Sequence, residues 1–280
     1  MLTIAVLLKQ TFDTEEKIVV APDGSISSGE AKLVINPYDE YALEEALRQR
    51  ELHGGKVHVI TSGPEKAEEA LRTALAMGAD EAVRLESEGS TLLAEGDSHT
   101  IAAALTEILR PLAPDLVLAG LFAVDSGSGS VALQVAERLG LPHASSAVKL
   151  DIAEAAGTAA SGAIPAGAQA AERFAIVERD VEGDTETVAI PLPALITAQQ
   201  GLNEPRYPSL PGIMKAKKKP LVRVNPADFG GEWLTAAAAR TVRTALFPPE
   251  PRAAGKRLAG SPSEQAAALT QLLQTAVKLE

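Results

Sequence analysis

Three short stretches of this chain set glycine, serine, asparagine or acidic residues directly before an apolar segment of helical spacing. A helix start presents free backbone amides, and such amides favour an anion. The longest stretch reads Gly120-Leu121-Phe122-Ala123-Val124-Asp125-Ser126-Gly127-Ser128-Gly129-Ser130, and Val131, Val135 and Leu139 follow on one helical face. Its glycines permit close backbone approach, and its serines add hydroxyl donors. The second stretch is Asn36-Pro37-Tyr38-Asp39, ahead of an apolar-periodic run over 41–53. The third is Ser62-Gly63-Pro64-Glu65, whose spacing predicts a capping box in which Ser62 and Glu65 each satisfy an orphan amide. Taken singly, each stretch is more often an ordinary helix start than a ligand site, and only the three together at neighbouring strand ends balance the two readings. No Walker motif and no Gly-x-Gly-x-x-Gly accompanies them, so they specify no nucleotide class by themselves.

A fourth stretch is of another kind. Residues 202–219 read Leu202-Asn203-Glu204-Pro205-Arg206-Tyr207-Pro208-Ser209-Leu210-Pro211-Gly212-Ile213-Met214-Lys215-Ala216-Lys217-Lys218-Lys219. Prolines stiffen this loop, Leu210, Ile213 and Met214 are its apolar tips, and a cationic cluster ends it. A stiff loop with apolar tips loses little entropy on binding, which suits a partner anchor. A solvated basic helix start with its Leu and Met folded inward fits the same letters.

A constellation for free-standing catalysis is not expected. The chain has no cysteine, which excludes disulfides, thiolate nucleophiles, zinc–thiolate sites and cysteine-held iron–sulfur clusters. His53, His58, His99 and His143 are scattered, and His58 falls in a predicted strand as a packed or edge residue. Glu86, Glu88, Glu95 and Asp97 read as a solvated acidic loop.

The elements that must position these loops alternate. Apolar runs at 2–8, 56–61, 81–85 and 115–119 predict strands. Helices are predicted over 41–53, from Ala67 through Ala70, Leu71, Ala74 and Leu75 to Gly78, over 98–110, and after Ser130. That alternation implies an α/β, Rossmann-like fold with a mostly parallel sheet flanked by helices. Short strands at 145–150, 174–180, 185–190 and 193–198 predict a small antiparallel addition, interrupted by the Ala/Gly-rich stretch 153–171. The expected organisation is one nucleotide-binding domain over 1–230, followed by a C-terminal helical arm over 231–280. In that arm, helical stretches at 234–246 and 263–278 flank Pro248-Pro249-Glu250-Pro251, and the arm is expected to pack on a partner. Only 3% of residues are aromatic, so the core must be Ala, Val, Leu and Ile. A net charge of −11 disfavours nucleic acid as a partner. The apolar start is too short to span a bilayer and lacks the basic opening of a signal peptide, so membrane insertion is not expected and a cytoplasmic location is.

The segments LNEPRYPSLPGIMKAKKKP, INPYDEYALEEALR, TSGPEKAEEALRTALAMGADEAVRL and VLLKQTFDTEEKI resemble the electron transfer flavoprotein β (small-subunit) family, in order and in spacing. The resemblance covers about 1–150 and 174–230. It implies a heterodimer in which an α subunit holds most of the FAD contacts and this chain binds AMP. It also implies passage of electrons from acyl-CoA or related dehydrogenases of fatty acid β-oxidation to a quinone oxidoreductase, with no catalysis by this chain itself. Carried over by position, the AMP site comprises Leu7, Asn36, Pro37, Tyr38, Asp39, Ser62 and the loop Leu121, Phe122, Ala123, Val124, Asp125, Ser126, Gly127, Ser128, Gly129, Ser130, Val131 and Ala132. Partner docking falls to Leu210, Pro211, Ile213, Met214 and Lys215. The chain departs from the family pattern at Ser130, where Gln is usual, and at Leu121, where a basic or polar residue is common. Asp125-Ser126-Gly127-Ser128 also stands where bifurcating relatives carry Asp-Gly-Asp-Thr. AMP, a second FAD and an empty pocket thus stay open, as does a stand-alone adenine-nucleotide-binding α/β protein.

Overall fold

The computed structural model describes residues 1–21, 24, 26, 31–88, 93, 96–154, 172–229, 239–250, 252, 254, 255 and 257–276. The chain begins with β1 (Leu2–Leu7), a ribbon of β2 (Gln10–Phe12) and β3 (Leu33–Ile35), α1 (Pro37–His53) and β4 (Gly55–Gly63). A 3-10 turn at Glu65–Ala67 leads into α2 (Glu68–Met77), β5 (Glu81–Glu86), α3 (Ser98–Leu112), β6 (Leu116–Gly120) and α4 (Ser130–Leu139). There follow β7 (His143–Glu154), β8 (Arg173–Val181), β9 (Asp184–Pro191), β10 (Ala194–Ala198), α5 (Leu210–Ala216), β11 (Leu221–Val224) and α6 (Pro262–Ala276).

The main sheet runs β11-β5-β4-β1-β6-β10-β7-β8-β9. From β11 to β7 every pairing is parallel, and β7-β8-β9 are antiparallel. The α/β expectation holds. Alternation along β1 explains the two cores. Ile4 and Val6 face α1 and α2 with Leu43, Leu47, Leu71 and Leu75, whereas Ala5 and Leu7 face α3 and α4 with Leu105, Leu109 and Val135. A strand covered on both faces must be apolar throughout, which is why LTIAVL shows no polar alternation.

The chain leaves β1 toward β4 and β5 on one side, then returns to β6 on the other. The order therefore reverses at β1, and a crevice opens beyond the C-terminal ends of β1 and β6, where ligands of such sheets bind. Residues 36–39 and the loop 120–130 meet at these ends, and 62–65 leaves the end of the neighbouring β4.

Several boundaries differ from expectation. The helix expected over 41–53 starts four residues earlier, at Pro37, whose fixed φ suits a first helical position. Residues 193–198 are not in the antiparallel addition: β10 lies parallel between β6 and β7. Ser62 forms no capping box, because β4 continues to Gly63 in register with β5 and leaves Ser62 inside the strand. Residues 239–246 of the expected 234–246 helix are not helical, while 234–238 lie outside the described residues. Most of the Ala/Gly-rich stretch, 155–171, also lies outside them, and 153–154 close β7. Among the described residues no helix is long and apolar enough to cross a membrane.

Candidate functional site

Two side chains from the start of α1 organise the crevice. Asp39 accepts the Lys9 amide through Oδ2 at 2.7 Å and the Gly120 amide through Oδ1 at 3.0 Å, so one carboxylate ties the ends of β1 and β6 together. Asn36 donates Nδ2 to the Phe122 carbonyl at 3.0 Å and accepts the Val124 amide through Oδ1 at 3.1 Å. It thus completes the hydrogen bonding of the loop like a missing strand. The ring of Tyr38 packs on Phe122 at 4.4 Å between centroids. A Cβ at Gly120 would overlap the Asp39 carboxylate and the Tyr38 side chain, so only glycine fits there.

The loop then closes on itself. Ala123 donates to Ser128 at 3.0 Å, and Gly127, at φ +67°, donates to Ala123 at 2.8 Å. Lys9 Nζ meets Asp125 Oδ1 at 2.7 Å and neutralises the one acid of the loop. Ser128 shares a 3.3 Å hydroxyl contact with Ser98, the first residue of α3. Gly129 begins α4 with no side-chain cap, so the first-turn amides of α4 keep their capacity for an external acceptor.

The family-aligned residues therefore divide into two sets. Asn36, Tyr38 and Asp39 brace the loop with their own side chains, and Leu7 and Ala132 lie in the apolar core beneath it. Ser126, Gly127 and Ser130 are exposed at the loop's outer side, with Ser128 and Gly129 half-buried beside them. Ser62 is half-buried near the end of β4. Burial pushes the Asp39 carboxyl up to about 7, although the Lys9 amide, the Asn36 side chain and the Gly120 amide pull the other way.

The second surface is α5. Ser209 caps it by accepting the Gly212 amide at 3.1 Å. Leu210 is 77% exposed, Met214 69% and Ile213 46%, so the apolar tips do not fold inward. Lys215 is exposed, but Lys219 is not part of a solvated cluster: its Nζ donates to the carbonyls of Leu75 at 3.1 Å and Ala79 at 2.6 Å, closing the C-terminal end of α2.

Two features were not legible in the sequence. Asp97 is 4% exposed, not a solvated loop acid. One oxygen caps α3 through the Thr100 amide at 2.8 Å, and the other accepts Thr241 Oγ1 at 2.7 Å with the amides of Arg240 and Thr241. The spacing Asp97-x-x-Thr100 signals the cap; nothing in it signals Thr241, which lies far along the chain. Arg206 likewise reaches back to α1. His58 is a packed histidine beside Glu81 at 3.5 Å, and burial lowers its pKa. Among the described residues no group of three or more His, Cys, Asp or Glu could hold a metal ion.

Comparison with known proteins follows the same lines. The family model described as the electron transfer flavoprotein domain matches residues 24–229. The chain is 45% identical over 278 residues to an electron transfer flavoprotein subunit beta of Bacillus subtilis, covering 99% of this chain and 100% of that one. It is 37% identical to the protein of that name from Syntrophomonas wolfei, over 100% of this chain and 98% of the relative. With that of Methylophilus methylotrophus it is 34% identical, over 96% and 97% of the two chains.

Proposed function

The chain belongs to the electron transfer flavoprotein family, as a β subunit, and from that premise we propose that it binds AMP in the crevice at the ends of β1 and β6 while an α-subunit partner holds the redox-active FAD. The observation that carries the AMP reading is the uncapped start of α4, set at the strand-order reversal in a loop that Asn36 and Asp39 lock in place. The residues fit such a group. First-turn amides and the hydroxyls of Ser126, Ser128 and Ser130 suit a monophosphate, and the Lys9–Asp125 pair leaves no unpaired acid facing it.

In this reading the β subunit is a carrier's scaffold. FAD supplies the one- and two-electron chemistry when bound by the assembled pair. This chain's residues bind AMP, hold the loops rigid and present α5 to the donor dehydrogenase, with a quinone oxidoreductase as acceptor. Leu210, Pro211, Ile213, Met214 and Lys215 form the donor-docking tip. The exposure of Leu210 and Met214 supports this, since an apolar side chain left in water at a braced helix start gains by entering a partner's groove.

The test is co-expression with an α subunit of the same family, then chromatography of nucleotides released by denaturation. One FAD and one AMP per heterodimer are expected. A second FAD in place of AMP, or no adenylate at all, overturns the AMP assignment. Flavin retained by the β chain alone overturns the division of labour.

A further inference from the structure

Helix α5 packs on the end of α2 through Gly212, which lies against the Ala76 carbonyl, and through buried Ala216, and the chain on either side of its exposed tip is held as well. On the C-terminal side, Arg72 Nη1 donates to the carbonyls of Ala216 at 2.8 Å and Lys219 at 3.0 Å. On the N-terminal side, four residues before Leu210, stands Arg206. Its Nε donates to Glu44 Oε2 at 2.9 Å and its Nη2 to Glu44 Oε1 at 2.9 Å, while Nη1 donates to Glu51 Oε1 at 2.6 Å. The Arg206 amide adds a bond to Glu44 Oε2 at 3.1 Å.

One planar guanidinium thus grips two carboxylates nearly two helical turns apart on α1. The Glu44 side chain is only 6% exposed, so this is no loose surface pair. A lysine could satisfy one of the acids as a point charge but could not fork between both. Asn203 fastens the same segment upstream, donating to the Tyr41 carbonyl at 3.0 Å and to Glu45 at 3.1 Å.

We propose that Arg206 is a positioning residue for donor docking: its fork to Glu44 and Glu51 fixes the chain entering α5 so that Leu210 and Met214 meet a partner surface already in place. This rests on the reading of α5 as the docking tip. Fixing a loop before binding removes the ordering cost from association, so the fork acts on affinity and leaves the transfer step alone. The effect belongs to KM.

The experiment uses the assembled heterodimer and the dehydrogenase that reduces the wild-type protein, and compares Arg206→Lys, Glu51→Gln and Leu210→Ala. In Arg206→Lys, KM for the heterodimer rises roughly five- to tenfold, about 1 kcal/mol or slightly more. Its kcat stays within about twofold of wild type, and extracted FAD and adenylate are unchanged. Glu51→Gln, whose carboxylate is half exposed, folds normally and moves KM the same way by less. Unchanged KM in both variants overturns the proposal, as does a joint fall of kcat, flavin content and melting temperature in Arg206→Lys without a KM change in Glu51→Gln. If Leu210→Ala alone leaves KM at the wild-type value, the docking reading itself fails. If Leu210→Ala raises KM and Arg206→Lys does not, only the bracing role fails.

Discussion

At Asp39, burial and hydrogen bonding pull one carboxyl in opposite directions. Removal from water favours the neutral acid and raises its pKa to about 7, while the amides of Lys9 and Gly120 favour the anion. The unfolded chain releases this proton near 3.8, as an ordinary aspartate does, and the folded chain keeps it until about 7. The folded state therefore binds more protons between those limits, and the stability that Asp39 confers falls as pH rises through that window. Asn at this position cannot titrate and keeps one amide acceptor, so Asp39→Asn is less stable overall by roughly 1–3 kcal/mol. The gap between wild type and variant is expected to narrow from pH 4 to pH 8, read as urea midpoints; a constant gap across that range would remove Asp39 as its source. The sequence identified Asn36, Tyr38 and Asp39 as a helix start beside a strand end. Their inward use escaped it, because the partners Phe122, Val124 and Gly120 lie more than 80 residues away. Gly129 gives a second check at this scale. A Cβ there would come within 2.8 Å of the Leu121 carbonyl, so Gly129→Ala must spread the loop where the adenylate is proposed to sit. Adenylate extracted from the purified heterodimer is expected to drop several-fold, with the melting temperature lowered by only a few degrees.

Among the elements, those framed by apolar periodicity were legible and those fixed by remote contacts were not. The strands β1, β4, β5 and β6 and the helices α2, α3 and α4 follow from runs of Val, Ile and Leu punctuated by glycines such as Gly54, Gly78 and Gly140. Ala194-Leu195-Ile196-Thr197-Ala198 announces a buried strand, yet nothing in these five letters tells whether its neighbours are β6 and β7 or the antiparallel ribbon. The acidic turn before α3 misled in the same way, since Asp97 resembles a surface residue until Thr241 is placed against it. Burial would raise the Asp97 pKa, but bonds from the Thr100 and Thr241 hydroxyls and amides outweigh it and hold the carboxyl well below its ordinary range. A depressed folded pKa means that this stability is complete above about pH 4 and is lost only as acid protonates the folded carboxylate. Thr241→Val removes one bond to Asp97 and leaves the α3 cap untouched. Amide exchange or protease cleavage within 239–250 is expected to quicken about fivefold, the equivalent of roughly 1 kcal/mol. Helix α3 should be unaffected; equal loosening of α3 would show that Asp97, not the arm, sets the local order.

At the scale of the molecule, a two-faced core leaves the last described helix, α6, uncovered. None of the residues described in α6 is buried, and Leu269, Leu272 and Leu273 stand about half exposed at helical spacing. The helix is nonetheless well begun: the Ser261 amide and hydroxyl both reach Glu264 Oε2 at 2.7 Å, a formed capping box. A capped helix of this length is marginal by itself in water, and an apolar stripe along it needs a covering surface. In a family whose relatives are named as subunits, the expected cover is the α chain. The sequence made the second tail helix legible through its Ala/Leu periodicity, but could not show that it would stand clear of its own domain, because amphipathicity reports a buried face without saying whose. Removal of residues 239–280 therefore tests the division between core and arm. The hydrogen bonds from Arg240 and Thr241 to Asp97 are lost with it, but both sheet-covering cores stay whole, so the unfolding midpoint should shift by no more than a few degrees. The truncated chain's co-purification with the α chain should be lost or weakened at least tenfold, since the exposed stripe on α6 is apolar area it forfeits. A truncated chain that still assembles one-to-one and retains flavin would place the binding energy in the α/β core and leave α6 without that role.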